Sequence, residues 1–108
     1  MKKYSLTSIT LIIALLSCQN SNRAPVSEAT FTRILADMHT AEGAAEGEFP
    51  SAKDSLLRIY YTQILKKHDV TQTDFDSTLA VYSRQPVVFD SVYSNVLREI
   101  QKIDTTTH

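Results

Sequence analysis

Glycine and proline are so few in this 108-residue chain that they fix its punctuation: two glycines, Gly43 and Gly47, and three prolines, Pro25, Pro50 and Pro86. Between these breaks the apolar residues recur at three and four spacing rather than alternating, which is the helical period and not the strand period. The chain therefore reads as all-α, a small bundle of about four helices. The first helix opens at Ser27, a good N-cap, and sets Phe31, Ile34, Leu35, Met38, Ala41 and Ala45 on one face. Both glycines follow and weaken it, and Phe49-Pro50 closes the turn.

The second helix is expected from about Lys53 to Lys67, with Leu57, Tyr60, Tyr61, Ile64 and Leu65 as its stripe; Leu56 and Ile59 lie off the stripe and suggest a second contact surface. Thr71-Gln72-Thr73-Asp74 has the form of a helix start, in which a Thr hydroxyl caps the backbone. The third helix then buries Phe75, Leu79 and Tyr82 and stops before Pro86, because the residue before a proline disfavours helical backbone. Pro86 suits a first helical position, and Phe89, Val92, Tyr93, Val96, Leu97, Ile100 and Ile103 form the strongest apolar stripe in the chain. Short connections favour antiparallel neighbours among the last three helices.

The N-terminus follows other rules. Lys2 and Lys3 precede an apolar stretch from Leu6 to Leu16, followed by small Ser17 and by Cys18, the only cysteine. As a helix that stretch would span roughly 16 Å against a hydrocarbon core of about 30 Å, too short for a permanent span and suited to a cleaved signal. Leu15-Leu16-Ser17-Cys18 resembles a bacterial lipobox, with an aliphatic residue three before the cysteine and a small one just before it. The resemblance implies cleavage between Ser17 and Cys18 and a covalent diacylglycerol and N-acyl lipid on Cys18. Several acyl chains, each worth about 0.8 kcal/mol per buried CH₂, would anchor the chain firmly. The plainer alternative, an ordinary secretory signal, leaves Cys18 as an unpaired thiol in an oxidising compartment, which is a liability.

The expected organisation is then a lipoprotein signal peptide over 1–17, a lipidated cysteine and flexible tether over 18–25, a helical domain over 26–103 and a disordered tail over 104–108. Cleavage removes Lys2 and Lys3, so Lys plus Arg falls from 11 to 9 against 12 Asp plus Glu, a mature charge of −3. That sign, with no basic stripe beyond Lys66-Lys67, argues against nucleic acid as a partner. Membrane attachment would come from the lipid alone. A core this small, without a disulfide, is marginally self-sufficient, which allows a homodimer or a larger envelope partner.

Three strings, ILADMHTAEG (Ile34 to Gly43), ILKKHDVTQTDFDSTLAVYSRQP (Ile64 to Pro86) and FDSVYSNVL (Phe89 to Leu97), carry a resemblance to the domain of unknown function 4296 family of small Bacteroidota lipoproteins. Its ordered pieces are an Asp-x-His-x-x-Glu on the first helix, a Lys-His ending the second, a Phe-Asp-x-x-Leu-x-x-Tyr third helix and then Pro. Where the family often has glycine after the histidine, this chain has Asp69. The resemblance implies a Gram-negative envelope, most often the outer membrane. Gln19 after the cysteine is not the enterobacterial Asp retention signal, and Gln19 to Asn22 lacks an acidic surface-export run, so the periplasmic face is the default.

Only the first-helix motif offers candidate chemistry. At 100° per residue, Glu42 falls with Phe31, Leu35 and Met38, and His39 and Glu46 flank it on the same side, so a buried polar or ligand cluster of His39, Glu42 and Glu46 is expected. Such a set could act as a general base or hold a metal. A structural network is favoured, because a buried Glu is commonly satisfied by hydroxyls and Tyr60, Tyr61, Tyr82 and Tyr93 are on offer. His68 reads as a helix cap or dipole partner. With no second cysteine, phosphate loop, nucleophile elbow or zinc helix, no enzyme, cofactor or metal is expected. The favoured function is a non-enzymatic accessory or scaffold docking on an envelope protein; the alternative is a small-ligand or metal-binding protein, or weak hydrolase, using Glu42 and His39.

Overall fold

The computed structural model describes residues 23–107, which fold into four α-helices with no strand among the described residues. The expected signal peptide, Cys18 and the start of the expected tether lie outside them. Helix α1 spans Glu28–Ala44, α2 Pro50–Lys67, α3 Gln72–Ser83 and α4 Pro86–Thr107. Helix α1 is the hub: it packs against α4 and α2, and α4 in turn receives α3. Although α2 and α3 are consecutive, α2 makes its extensive packing with α1.

The caps are those the residue types dictate. Ser27 Oγ accepts from the Thr30 N–H at 3.3 Å to start α1, and Thr71 Oγ1 accepts from the Asp74 N–H at 3.1 Å to start α3. Helix α2 starts at Pro50, three residues before the expected Lys53, because a proline at the first helical position gives up an N–H that would have no partner anyway. Gly47 takes the one positive-φ glycine position, φ 94°, in the link before it. At the other end, α4 continues to Thr107, so Asp104 to Thr107 are helical and not the unstructured tail expected; Thr105 Oγ1 donates back to the Gln101 and Lys102 carbonyls.

The α2 terminus is a Schellman motif. The Val70 N–H reaches back to the Leu65 carbonyl at 2.9 Å, the Asp69 N–H to that of Lys66 at 3.1 Å, and Asp69 takes φ +56°. Val70 packs against the core cluster that holds Leu65, which supplies the usual apolar contact of this motif. Asp69 thus occupies the left-handed position that a glycine takes without steric cost, and Asp tolerates it better than most residues. Asp69→Gly is expected to raise the stability of the purified protein by about 0.5–1 kcal/mol, seen as an upward Tm shift of roughly 2–8 °C. A lower Tm would show that the Asp69 side chain contributes more than its backbone strain costs.

The core gathers Phe31, Ile34, Leu65, Phe75, Val92 and Val96, with Val26 from the segment before α1. Phe31 stacks on Tyr82 with ring centroids 5.2 Å apart and tilts against Phe75 at 5.7 Å. On α3, Leu79 is exposed, and the fully buried neighbour of Phe75 is Thr78. A hydroxyl is tolerated there because it is satisfied twice: Thr78 Oγ1 donates to the Asp74 carbonyl at 2.7 Å and accepts from the Val26 N–H at 3.1 Å. That second bond fastens the segment before α1 to α3. The α4 stripe is wider than what covers it, for Tyr93 and Leu97 are exposed.

Candidate functional site

All buried side chains of α1 lie between Phe31 and Ala36, and the single buried one of α2 is Leu65. Apart from Ala45, fully buried at the C-cap of α1, the later half of α1 and most of α2 thus form a two-helix arm without a buried layer above it. Glu42 lies on this arm, which is why a residue in angular register with Phe31 is nevertheless exposed. Its carboxylate accepts a hydrogen bond from the Tyr61 hydroxyl at 2.5 Å, the kind of partner anticipated for it. Burial first, then the hydrogen bond and charge of Glu42, push the Tyr61 hydroxyl up to about 12, so it stays a donor at any ordinary pH.

The buried cluster expected of His39, Glu42 and Glu46 does not form. All three are exposed, and Glu46 lies beyond the last turn of α1, where helical spacing no longer aligns it with Glu42. Among the described residues no group of three or more His, Cys, Asp or Glu could hold a metal ion. Ser17 and Cys18 lie outside the described residues.

A different constellation comes together where α1 meets the end of α2. Asp37 Oδ2 accepts from His68 Nε2 at 2.8 Å and from Lys67 Nζ at 3.0 Å. His68 and Asp37 are mostly shielded, their side chains 14% and 21% exposed, whereas Lys67 is 66% exposed. Burial pushes the Asp37 carboxyl up, but the hydrogen bonds and charges of His68 and Lys67 outweigh it and hold the group below its ordinary value of 3.8. An ionised carboxylate can only accept, so His68 presents Nε2–H to it. The Schellman turn sets this geometry by ending α2 at Lys67 with His68 as its cap.

Beside this junction runs a groove of about 340 Å³ lined by Asp37, Thr40, Ala41 and Ala44 of α1 and by Tyr60, Gln63, Ile64 and Lys67 of α2. Each helix contributes positions i, i+3, i+4 and i+7, one face apiece, and the two alanines leave the floor low. An oriented His-carboxylate pair is half of an acid-base device; here Lys67 shares the carboxylate oxygen, no nucleophile bonds to it among the described residues, and its clear physical role is to tie α1 to α2. Sequence reasoning singled out the exposed His39 and Glu42 and passed over Asp37 as part of a site. The signal was present in the quoted strings, since Asp37 opens the first-helix motif and Lys67-His68 close the second.

A family model described as a domain of unknown function (DUF4296) matches residues 23–106. The chain belongs to the DUF4296 family. The match takes in all of the core and both partners of the Asp37–His68 tie. No curated protein and no solved structure matches the chain.

Proposed function

We propose that this DUF4296 chain is a lipid-anchored envelope lipoprotein, held through Cys18 at the periplasmic face of the outer membrane, that acts without catalysis by docking on another envelope protein. The observation that carries the docking half is the α1–α2 arm. From Pro50 to Ile64 no residue of α2 is buried, Ile59 is 53% exposed and Leu56 is half-buried, and the later turns of the same helix form one wall of a groove whose apolar lining is Ala41, Ala44 and Ile64. A surface of this kind, two antiparallel helices presenting small and aliphatic residues at helical spacing, accepts a third helix. The anchoring half is supported by the lipobox resemblance at Leu15 to Cys18.

Metabolic labelling with alkyne palmitate tests the anchor: wild type should be tagged and Cys18→Ala should lose essentially all label. Equal labelling of the two would overturn the lipoprotein reading. Affinity capture from solubilised membranes tests docking. A stoichiometric partner should copurify with wild type and fall at least about fivefold with Ile59→Glu, since a desolvated charge at an interface costs about 1–3 kcal/mol or more. Recovery of the bare monomer from both would rule the docking role out.

A further inference from the structure

Nearer the start of α1 than the α2 groove lies a second, chemically different depression of about 480 Å³, between the first turns of α1 and the later turns of α4. It is lined by Glu28, Thr32 and Arg33 on one side and Asn95, Arg98, Glu99 and Lys102 on the other. Glu99 is paired with Lys102 at 3.2 Å. Arg33 and Arg98 are held by no ion pair or side-chain hydrogen bond among the described residues, and neither is Glu28. Two guanidiniums from different helices thus face one groove with their donors unspent, in a domain whose overall charge is negative.

The groove wall supplies an independent sign. Thr32 is 5% exposed, yet its hydroxyl makes no hydrogen bond to any described residue, and it is not among side-chain oxygens sealed from solvent. Thr32 is one of the residues that line the groove. A nearly buried hydroxyl, two forked cations and an amide, Asn95, are the donor set that a phosphate takes, and Arg presents the paired N–H geometry that matches phosphate oxygens. The unpaired Glu28 carboxylate repels a simple anion but suits a cation carried by the same ligand.

We infer that this groove binds a zwitterionic phosphoester of the phosphoethanolamine type, its phosphate on Arg33, Arg98 and Thr32 and its ammonium on Glu28. Two sources could present that chemistry, a lipid headgroup or a free phosphoester. Glu28 is ten residues from Cys18, at most roughly 35 Å of extended chain, so an anchored protein brings the groove within reach of headgroups. The lipid source alone rests on the anchoring reading above; the binding chemistry does not.

Arginine side-chain N–H resonances of the full chain, purified in detergent, provide the test. Titration with O-phosphoethanolamine should shift Arg33 and Arg98 saturably, half-complete at about 1–10 mM, as a few charge-assisted hydrogen bonds allow, while exposed Arg58 and Arg84 stay put. Inorganic phosphate should bind more weakly, and Glu28→Gln should erase that preference. Arg33→Gln with Arg98→Gln should weaken binding at least tenfold with Tm unchanged, and the corresponding Lys pair should recover part of it. In the second arm, the chain in phosphatidylcholine nanodiscs is compared with nanodiscs containing phosphatidylethanolamine. A response to the soluble probe upholds a free phosphoester, a response to the nanodisc lipid alone upholds a headgroup, and silence of Arg33 and Arg98 in both arms overturns the site. Loss of palmitate labelling at Cys18 with the soluble arm intact would remove the anchor and leave the site standing.

Discussion

Phe31→Ala should abolish the cooperative thermal transition of this protein or bring its midpoint down by more than 15 °C, followed by circular dichroism at 222 nm. Phe31 is fully buried at the point where three of the four helices meet: it belongs to α1, it stacks on Tyr82 and tilts on Phe75 of α3, and it joins the core cluster with Val92 and Val96 of α4. Truncating a buried phenylalanine costs about 3–5 kcal/mol through lost burial and the cavity left behind. The two aromatic contacts add to that cost, each pair being worth about 0.5–1.5 kcal/mol beyond its area. Total stabilities of small domains are about 5–15 kcal/mol, and a domain of this size stands toward the low end. Phe31→Leu keeps most of the volume and should cost roughly half as much. If Phe31→Ala melted within a few degrees of wild type, the arm rather than this aromatic cluster would have to carry the stability of the fold.

How much of this arrangement was legible beforehand follows from what each signal measures. Helical period, two caps and Pro86 located four helices, because those features are local and the backbone obeys them locally. Thr78 in place of Leu79 was not legible. Its burial depends on a hydrogen bond to Val26, 52 residues away in sequence, which no local pattern carries. Glu42 was misjudged for a related reason: angular position on a helix reports which way a side chain points, and whether another helix lies there is a tertiary fact. The same distinction explains Asp37. It lies on the flank of α1 away from Phe31, where no local pattern announces a partner, and the Schellman turn at the end of α2 brings His68 and Lys67 to it. Ile59, by contrast, is 53% exposed and lies off the packed stripe as read, whereas Leu56 is half-buried like the on-stripe Leu57, so the stripe is wider on that side than the period alone marks.

Asp37→Asn is expected to destabilise the protein by about 1.5–3 kcal/mol at neutral pH, the range for a hydrogen bond to a charged group with a shielded partner left behind. The loss should fall mainly on the His68 contact. Lys67 is 66% exposed, so Lys67→Met should cost less than about 1 kcal/mol, whereas His68→Gln should approach the cost of Asp37→Asn, and the Asp37→Asn/His68→Gln pair should be clearly less than additive. Acid unfolding supplies the sign. The Asp37 carboxyl is held below its ordinary 3.8 in the folded protein, so the unfolded chain takes up the proton first as pH falls. Its contribution is therefore complete above about pH 4 and is lost as the pH drops through the folded value. Urea melts of wild type and Asp37→Asn at pH 7, 5, 4 and 3 should show a constant gap down to about pH 5, narrowing below pH 4. A gap that stays constant to pH 3 would mean that packing of the Asp37 side chain, and not its charge, joins α1 to α2.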